Sequence, residues 1–189
     1  PYGEIKFDAN ANYPSIFSLD EHPDHCSVIY TSTFSKTVVP ALRTGWVIGD
    51  TRVIQQMTKA KQAVDLHSSS LDQQALHQLL THFDLDAHIQ TIRNEYRKRM
   101  EQMKELLVDS RFADLRWNEP QGGMFFWAEL PETIDASELL KLAVQEGVAF
   151  VPGVDFYAEN PRRNTMRLNF THTNRDTMKL GMDRLAAAL

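Results

Sequence analysis

The chain has 189 residues, of which 42% are hydrophobic and 24% charged, a composition that is ordinary for a globular protein. Its formal net charge of −5 disfavours a nucleic-acid-binding surface, which would normally carry a basic stripe. No segment approaches the run of roughly 20 apolar residues that a membrane-spanning helix needs. The single cysteine, Cys26, excludes an internal disulfide and is compatible with a reducing cytoplasm.

Two short runs of β-branched and aromatic residues near the N-terminus predict two buried strands. These runs are residues 28–30 and 46–48, the second ending before Gly49. Pro40 lies between them and keeps the intervening segment from continuing as a helix. We therefore expect a rigid loop between two core strands.

This loop carries hydroxyls, an amine and a guanidinium, supplied by Thr33, Ser35, Lys36 and Arg43. A lysine amine can attack an aldehyde to form a Schiff base. Arginine instead stays charged and pairs with phosphate oxygens through two parallel hydrogen bonds. The combination indicates a site for a phosphorylated carbonyl cofactor, although lysines among serines and threonines are also common on solvated loops.

The middle of the chain is predicted to be helical over residues 51–64, 71–82 and 86–108. In the longest of these helices the apolar residues recur at spacings of three, four and seven, which places them on one stripe. They are Ile89, Ile92, Tyr96, Met103 and Leu107. A helix of this length is expected to connect two domains.

The remainder alternates short strands with two helices. Strands are predicted at residues 115–117, 124–128, 149–151 and 165–170. A helix capped near Asp135 and ended by Gly147 would bury Leu139, Leu142 and Ala143. A final helix starting near Asn174 would bury Met178, Met182, Leu185 and Leu189. This order of elements predicts an α+β domain after the tail of a larger α/β sheet.

Two other clusters of polar residues are not interpreted as sites. His22, Asp24, His25 and Cys26 lie close together, but they fall in a polar loop and zinc sites need four well-spaced ligands, so no metal is expected. The run Asp65-Leu66-His67 before three serines resembles a catalytic triad only in composition, because triad residues are brought together by the fold. One of these serines is expected to cap a helix.

The run from Thr33 to Gly45 resembles the cofactor-lysine motif of fold-type I pyridoxal-phosphate-dependent aminotransferases of class I/II. The resemblance implies that Lys36 forms a Schiff base with pyridoxal 5'-phosphate and that Thr33, Ser35 and Arg43 bind its phosphate. Ala41 stands where the motif usually has glycine, which is harmless only if the backbone φ there is negative.

Further segments resemble other parts of the same family. Residues 1–4 are similar to the segment whose tyrosine binds the cofactor's phenolic oxygen, which implies that role for Tyr2. Residues 166–170 are similar to the segment whose arginine binds the substrate α-carboxylate, which implies that role for Arg167, although this arginine could instead close a structural ion pair. The Gly122-Gly123 pair is interpreted as a backbone turn.

The resemblance to the family implies an α/β fold that comprises the C-terminal part of the large-domain sheet and a small α+β C-terminal domain. The expected boundaries are residues 1–85 for the large-domain part, 86–108 for the connecting helix and 109–189 for the small domain. The family pattern needs roughly double this length, and Pro1 falls inside a motif. We therefore expect the C-terminal half of a longer enzyme, inactive as an isolated fragment.

Two functions are compatible with these residues. The first is a cytoplasmic, homodimeric aminotransferase that transfers an amino group between an amino acid and a 2-oxo acid through Lys36. The second is the ligand-sensing, aminotransferase-like domain of a winged helix-turn-helix transcriptional regulator, in which Lys36 binds the cofactor as a sensed ligand. The acidic charge favours the enzyme. So does residue run 61–67 with Gln73, which resembles the kynurenine and 2-aminoadipate aminotransferase branch.

Overall fold

The computed structural model describes residues 2–20 and 26–189, which form two compact units. Unit 1 comprises Pro1–Ile92 and unit 2 comprises Arg93–Leu189. A long helix, α3, spans Leu85–Leu107 and therefore contributes to both units. The domain boundaries expected from the sequence stay a prediction.

Unit 1 contains a two-stranded antiparallel sheet. Its strands are β1, Tyr30–Thr33, and β2, Gly45–Ile48, with Thr33 opposite Gly45. The first strand begins two residues later than predicted, at Tyr30 instead of residue 28. The loop that carries Lys36 joins the two strands, as the sequence predicts.

The prediction that both strands are buried is wrong: no residue of β1 is fully buried, and β2 is more exposed still. All four residues of β2 are exposed, with Trp46 at 38% and Ile48 at 45% of their maximal accessible surface. Successive side chains point to opposite faces of a strand, and in the part of the chain that the structure describes neither face of β2 is covered. An apolar run indicates a strand suited to burial on both faces, but it does not specify what lies over those faces.

Two helices complete unit 1 before α3, at the positions that the apolar spacing predicts. The first, α1, spans Thr51–Asp65, and the second, α2, spans Ser70–His82. The Asp50 carboxylate caps α1 by accepting from the Arg52 backbone N–H at 2.8 Å. The hydrogen bond from the Arg52 side chain, followed by this backbone bond, lowers the pKa of Asp50 to about 2. Asp50 therefore stays ionised at neutral pH and keeps the start of α1 capped.

The connection between α1 and α2 contains the run Asp65-Leu66-His67. The His67 backbone N–H donates to the Asp65 carbonyl oxygen at 2.7 Å, and Leu66 has φ 61° and ψ −59°, so these residues form a tight three-residue turn. Nδ1 of His67 lies 2.9 Å from the Ser68 carbonyl oxygen. Ser69 caps α2 by accepting from the Asp72 N–H at 3.3 Å, as predicted for one of the three serines. The run is a helix connection.

Unit 2 is built around a four-stranded antiparallel sheet with strand order β3-β4-β6-β5. The strands are β3, Arg116–Trp117; β4, Phe125–Glu129; β5, Val151–Pro152; and β6, Thr165–Asn169. Three of them lie within one residue of their predicted bounds, whereas β5 starts two residues late. Gly123, in the turn before β4, has φ 78°, which agrees with the predicted role of the glycine pair.

One face of this sheet forms the core of unit 2 together with two helices. The buried residues on this face are Phe126, Ala128, Met166 and Leu168. Helix α4 spans Ala136–Gln145 with Asp135 as its N-cap, and helix α5 spans Arg175–Ala188 with Asn174 as its N-cap. The two helices pack against each other. The cap predicted near Asp135 and the helix start predicted near Asn174 are thus confirmed.

Most predicted core positions on the helices are buried, and two are not. Leu139 and Ala143 of α4 are buried, but Leu142 is 51% exposed because it lies at the edge of the apolar stripe. Leu189 is exposed because α5 ends at Ala188, one residue before it. On α3, Ile89, Met103 and Leu107 are buried whereas Ile92 and Tyr96 are half-buried. Within the described residues, no helix is both long enough and apolar enough to cross a membrane.

Gly181 lies inside α5, beside a cleft of about 240 Å³ lined by Met178, Met182 and other apolar side chains. A Cβ added there would meet only Cγ2 of Val148, at an ordinary contact distance of 3.7 Å. Glycine inside a helix costs about 0.5–1 kcal/mol relative to alanine. We expect Gly181→Ala to raise the free energy of unfolding by that amount in chemical denaturation.

Gly147 offers the matched control for this substitution. It follows α4 with φ 80°, and a Cβ there would approach Nη1 of Arg184 to 2.9 Å. Gly147→Ala should therefore destabilise unit 2. A Gly181→Ala variant that unfolds more easily than the wild type would show that the helix or the cleft cannot accept the methyl group.

Candidate active site

The loop between β1 and β2 is closed by backbone hydrogen bonds. The Phe34 N–H donates to the Thr44 carbonyl oxygen at 3.2 Å, and the Val38 N–H donates to the Phe34 carbonyl oxygen at 2.8 Å. A short 3₁₀ turn, Pro40–Leu42, completes the loop. Ala41 lies in this turn and has no positive φ, so the backbone accepts alanine there without strain.

The hydroxyls of Thr33 and Ser35 are adjacent at the start of the loop. Their oxygens lie 2.9 Å apart, and the Thr33 oxygen is also 3.0 Å from the Thr44 carbonyl oxygen. The Ser35 backbone N–H donates to the Thr33 hydroxyl at 3.1 Å. The structure therefore brings together two of the predicted cofactor-binding residues.

Lys36 and Arg43 place two positive charges on the same loop. Lys36 is half-buried, and its Nζ lies 5.9 Å from the centroid of the Tyr2 ring. Arg43 ends the 3₁₀ turn in the left-handed conformation at φ 48°, and its Nη1 donates to the Pro40 carbonyl oxygen at 3.2 Å. Neither side chain forms an ion pair with any residue that the structure describes. Both charges are thus available to an anion.

The loop's donors fit a phosphorylated carbonyl compound. Two hydroxyls and a guanidinium that has no carboxylate partner within the described chain are groups that bind phosphate oxygens. A lysine amine without a hydrogen-bond partner among the described residues can react with a carbonyl carbon. The four side chains come from eleven consecutive residues, and the closed loop keeps them together.

Arg167 lies on β6 in unit 2, opposite Trp127 of β4 and Val151 of β5. It is half-buried, and its guanidinium carbon lies 4.1 Å from the ring centroid of Phe125 and 4.6 Å from that of Phe156. Its Nε is buried without a hydrogen-bond partner, and none of the described residues forms an ion pair with it. The alternative of a structural ion pair therefore finds no partner among residues 2–20 and 26–189.

Phe156 is the residue of this site that the sequence reasoning missed. On β4, Phe126 faces the core, whereas Phe125 and Trp127 are half-buried on the face of the sheet that carries Arg167. Phe156 is 49% exposed. A phenylalanine in a short surface turn directly after a glycine is the signal that could have identified it.

The described residues contain no cluster of three or more histidine, cysteine, aspartate or glutamate side chains suited to hold a metal ion. Of the cluster rejected from the sequence, Cys26 is described as a free, half-buried cysteine. His22, Asp24 and His25 lie outside the described residues.

Comparison with known proteins decides the family. A sequence profile for aminotransferases of class I and II matches residues 2–185, nearly the whole chain. The chain belongs to the class I and II aminotransferase family. This membership confirms the resemblance that the Lys36 motif indicates. Within the family, the chain is 38% identical over 189 residues to aromatic-amino-acid aminotransferase 1 of Thermococcus litoralis, covering all of this chain and 44% of that protein.

Two solved aminotransferases share the fold. The α-aminoadipate aminotransferase LysN of Thermus thermophilus, complexed with N-(5'-phosphopyridoxyl)-L-leucine, has a TM-score of 0.90 and 35% identity, with 100% of this chain and 48% of that chain covered. The kynurenine aminotransferase of Pyrococcus horikoshii, in complex with PMP, has a TM-score of 0.88 and 39% identity, with 100% and 46% covered. These similarities confirm the expected fold class and branch.

A transcriptional regulator is also similar to this chain, at a lower identity than the aminotransferases. The helix-turn-helix regulator NorG of Staphylococcus aureus is 29% identical over 168 residues, covering 88% of this chain and 36% of the regulator. The chain spans about half the length of the aminotransferases that it matches.

Proposed function

We propose that the whole protein is a pyridoxal-phosphate-dependent aminotransferase that moves an amino group between an amino acid and a 2-oxo acid. The observation that carries this proposal is the loop between β1 and β2. It carries two adjacent hydroxyls and, on Lys36 and Arg43, two cations with no acidic partner among the described residues. Family membership and the pyridoxal derivatives bound to the two similar structures support it.

Each cofactor-binding role is assigned to a side chain of unit 1. Thr33, Ser35 and Arg43 would bind the phosphate through hydroxyl and guanidinium donors. Tyr2, whose ring lies near the Lys36 amine, would donate to the phenolic oxygen. When bound, pyridoxal phosphate supplies an electron-withdrawing ring that stabilises negative charge at the substrate α-carbon.

Lys36 would act in two ways. Its amine would hold the cofactor covalently until the substrate amine replaces it. Released from that bond, the neutral amine would accept the proton of the substrate α-carbon and later return a proton, as a general base and then a general acid. The partly buried position of Lys36 limits the access of water to this proton transfer.

Arg167 would bind the substrate α-carboxylate. A guanidinium in a mostly apolar setting, with no acidic partner in the described part of the chain, gains most from an anion that can accept two parallel hydrogen bonds. Fixing the carboxylate restricts rotation of the substrate and so orients the C–H bond that must break.

The location and assembly of the whole protein are also proposals. We place it in the cytoplasm as a homodimer, and we keep the regulator as a second candidate because NorG matches most of this chain. Its lower identity of 29%, against 38% for the Thermococcus litoralis enzyme, favours catalysis. The net charge of −5 on this chain favours it too.

Reduction with borohydride tests the central assignment. We expect the whole protein, loaded with pyridoxal phosphate and reduced, to carry a phosphopyridoxyl group on the peptide that contains Lys36, as found by peptide mass spectrometry. An amino-transfer assay on the unreduced protein separates the two candidates, because a sensor would be labelled without turnover. Tight cofactor binding with no label at Lys36 would contradict the proposed role of this lysine.

A further inference from the structure

We propose that Phe156, together with Phe125, is a positioning residue that holds the Arg167 guanidinium ready for a carboxylate without neutralising it. This inference rests on the proposed function, because it concerns how the substrate-binding arginine is kept in place. Neither ring needs to touch the substrate. Their role is to fix the arginine side chain.

The contacts of Arg167 are with aromatic ring faces instead of carboxylates. Its guanidinium carbon lies over the Phe125 ring at 4.1 Å and over the Phe156 ring at 4.6 Å, both within the range of cation–π attraction. Its Nε is buried and makes no hydrogen bond with any residue in the ranges 2–20 and 26–189. The rings therefore hold the planar group by stacking and leave its terminal N–H donors to a ligand.

The surface turn that carries Phe156 is brought unusually close to the sheet. This 3₁₀ turn, Val154–Phe156, follows Gly153, which is buried. A Cβ on Gly153 would lie 2.1 Å from Oγ1 of Thr165 and 2.8 Å from Cη2 of Trp127, so only glycine permits this approach. The position of Phe156 therefore depends on a glycine at residue 153.

Trp127 fixes the Phe156 ring from the side. The two rings meet edge to face, with centroids 5.7 Å apart and planes at 83°. Trp127 is also the residue opposite Arg167 across β4 and β6. Trp127 thus contacts the Phe156 ring and is also the cross-strand neighbour of Arg167.

Rings suit this task better than an acidic residue would. A carboxylate beside Arg167 would hold the side chain equally well, but it would occupy the N–H donors and cancel the charge that attracts a substrate anion. Ring faces attract the cation and accept no strong hydrogen bond, so the full charge remains available. This explains a 49% exposed phenylalanine at a site where a polar residue would be better solvated.

Carboxylate preference measures the proposed effect without catalysis. The probes are 3-phenylpropionate and its uncharged analogue 3-phenylpropanamide, whose dissociation constants are measured by calorimetry on the cofactor-loaded whole protein. We expect the wild type to prefer the carboxylate. Phe156→Leu, which keeps an apolar side chain but removes the ring, should reduce that preference about three- to thirtyfold. Phe156→Tyr, which keeps the ring, should retain it.

Controls separate this inference from the proposed function. Phe83 is also 49% exposed, but its ring packs against His88 and is not one of the two rings over Arg167, so Phe83→Leu should leave the preference unchanged. Melting curves check that each variant is folded. If Arg167→Ala abolishes the preference while Phe156→Leu leaves it at the wild-type value, the positioning role is wrong and the carboxylate role of Arg167 stands. A wild type without any preference, or an Arg167→Ala variant that keeps it, overturns both.

Discussion

Replacing Lys36 with alanine in the whole protein should abolish measurable amino transfer. Loss of proton transfer by a positioned base alone costs about 10²–10⁴ in rate, and the variant also loses covalent attachment of the cofactor. The measurement is the steady-state rate of 2-oxo acid formation from an amino acid donor, combined with the visible absorbance of the cofactor. We expect the rate to disappear and the absorbance to revert to that of free pyridoxal phosphate.

Two control variants isolate the amine from its charge. Lys36→Arg keeps a cation beside Tyr2 but cannot form the covalent bond or move the proton at neutral pH, so it should bind the cofactor and remain inactive. Lys59 is an exposed lysine on α1, and Lys59→Ala should behave as wild type. Substantial turnover by Lys36→Arg would remove the lysine from the chemistry and leave it an electrostatic role only.

The loop was predictable because its chemistry is local. Thr33, Ser35 and Lys36 lie within four residues, and a closed loop between two strands keeps such neighbours together whatever surrounds them. Helix caps are local for the same reason, and Asp135 and Asn174 cap the helices that the sequence assigns to them. Interactions between residues a few positions apart leave a direct trace in the sequence.

Burial was predictable only where the covering layer is part of the same unit. Phe126 and Ala128 of β4 and Met166 and Leu168 of β6 are buried in the core of unit 2. The strand β2 also contains an apolar run, Trp46 to Ile48, yet its residues are exposed in the described chain. The residue composition of a strand shows that its faces are suited to burial, but it does not show which element covers them.

The contact between Phe156 and Arg167 was not predictable, because it depends on a distance between backbones. It forms only because Gly153 lets its turn approach Thr165 and Trp127 more closely than any side chain would allow. A sequence shows that a glycine is present, but the need for it appears only in three dimensions. The arginine's role was therefore indicated by family resemblance, while the means of holding it was not.

Replacing Arg167 with alanine should lower kcat/KM for substrates that carry an α-carboxylate and leave it nearly unchanged for those that lack one. Removing one member of a buried, hydrogen-bonded charge pair costs about 2–5 kcal/mol, so kcat/KM for an amino acid should fall by roughly thirty- to several thousandfold. The corresponding amine without a carboxylate should change little, because it never used the guanidinium. Arg97, exposed on α3, supplies the matched control, and Arg97→Ala should leave both substrates unaffected. Equal losses for amino acid and amine would mean that Arg167 supports the sheet between Phe125 and Phe156 and does not bind the substrate.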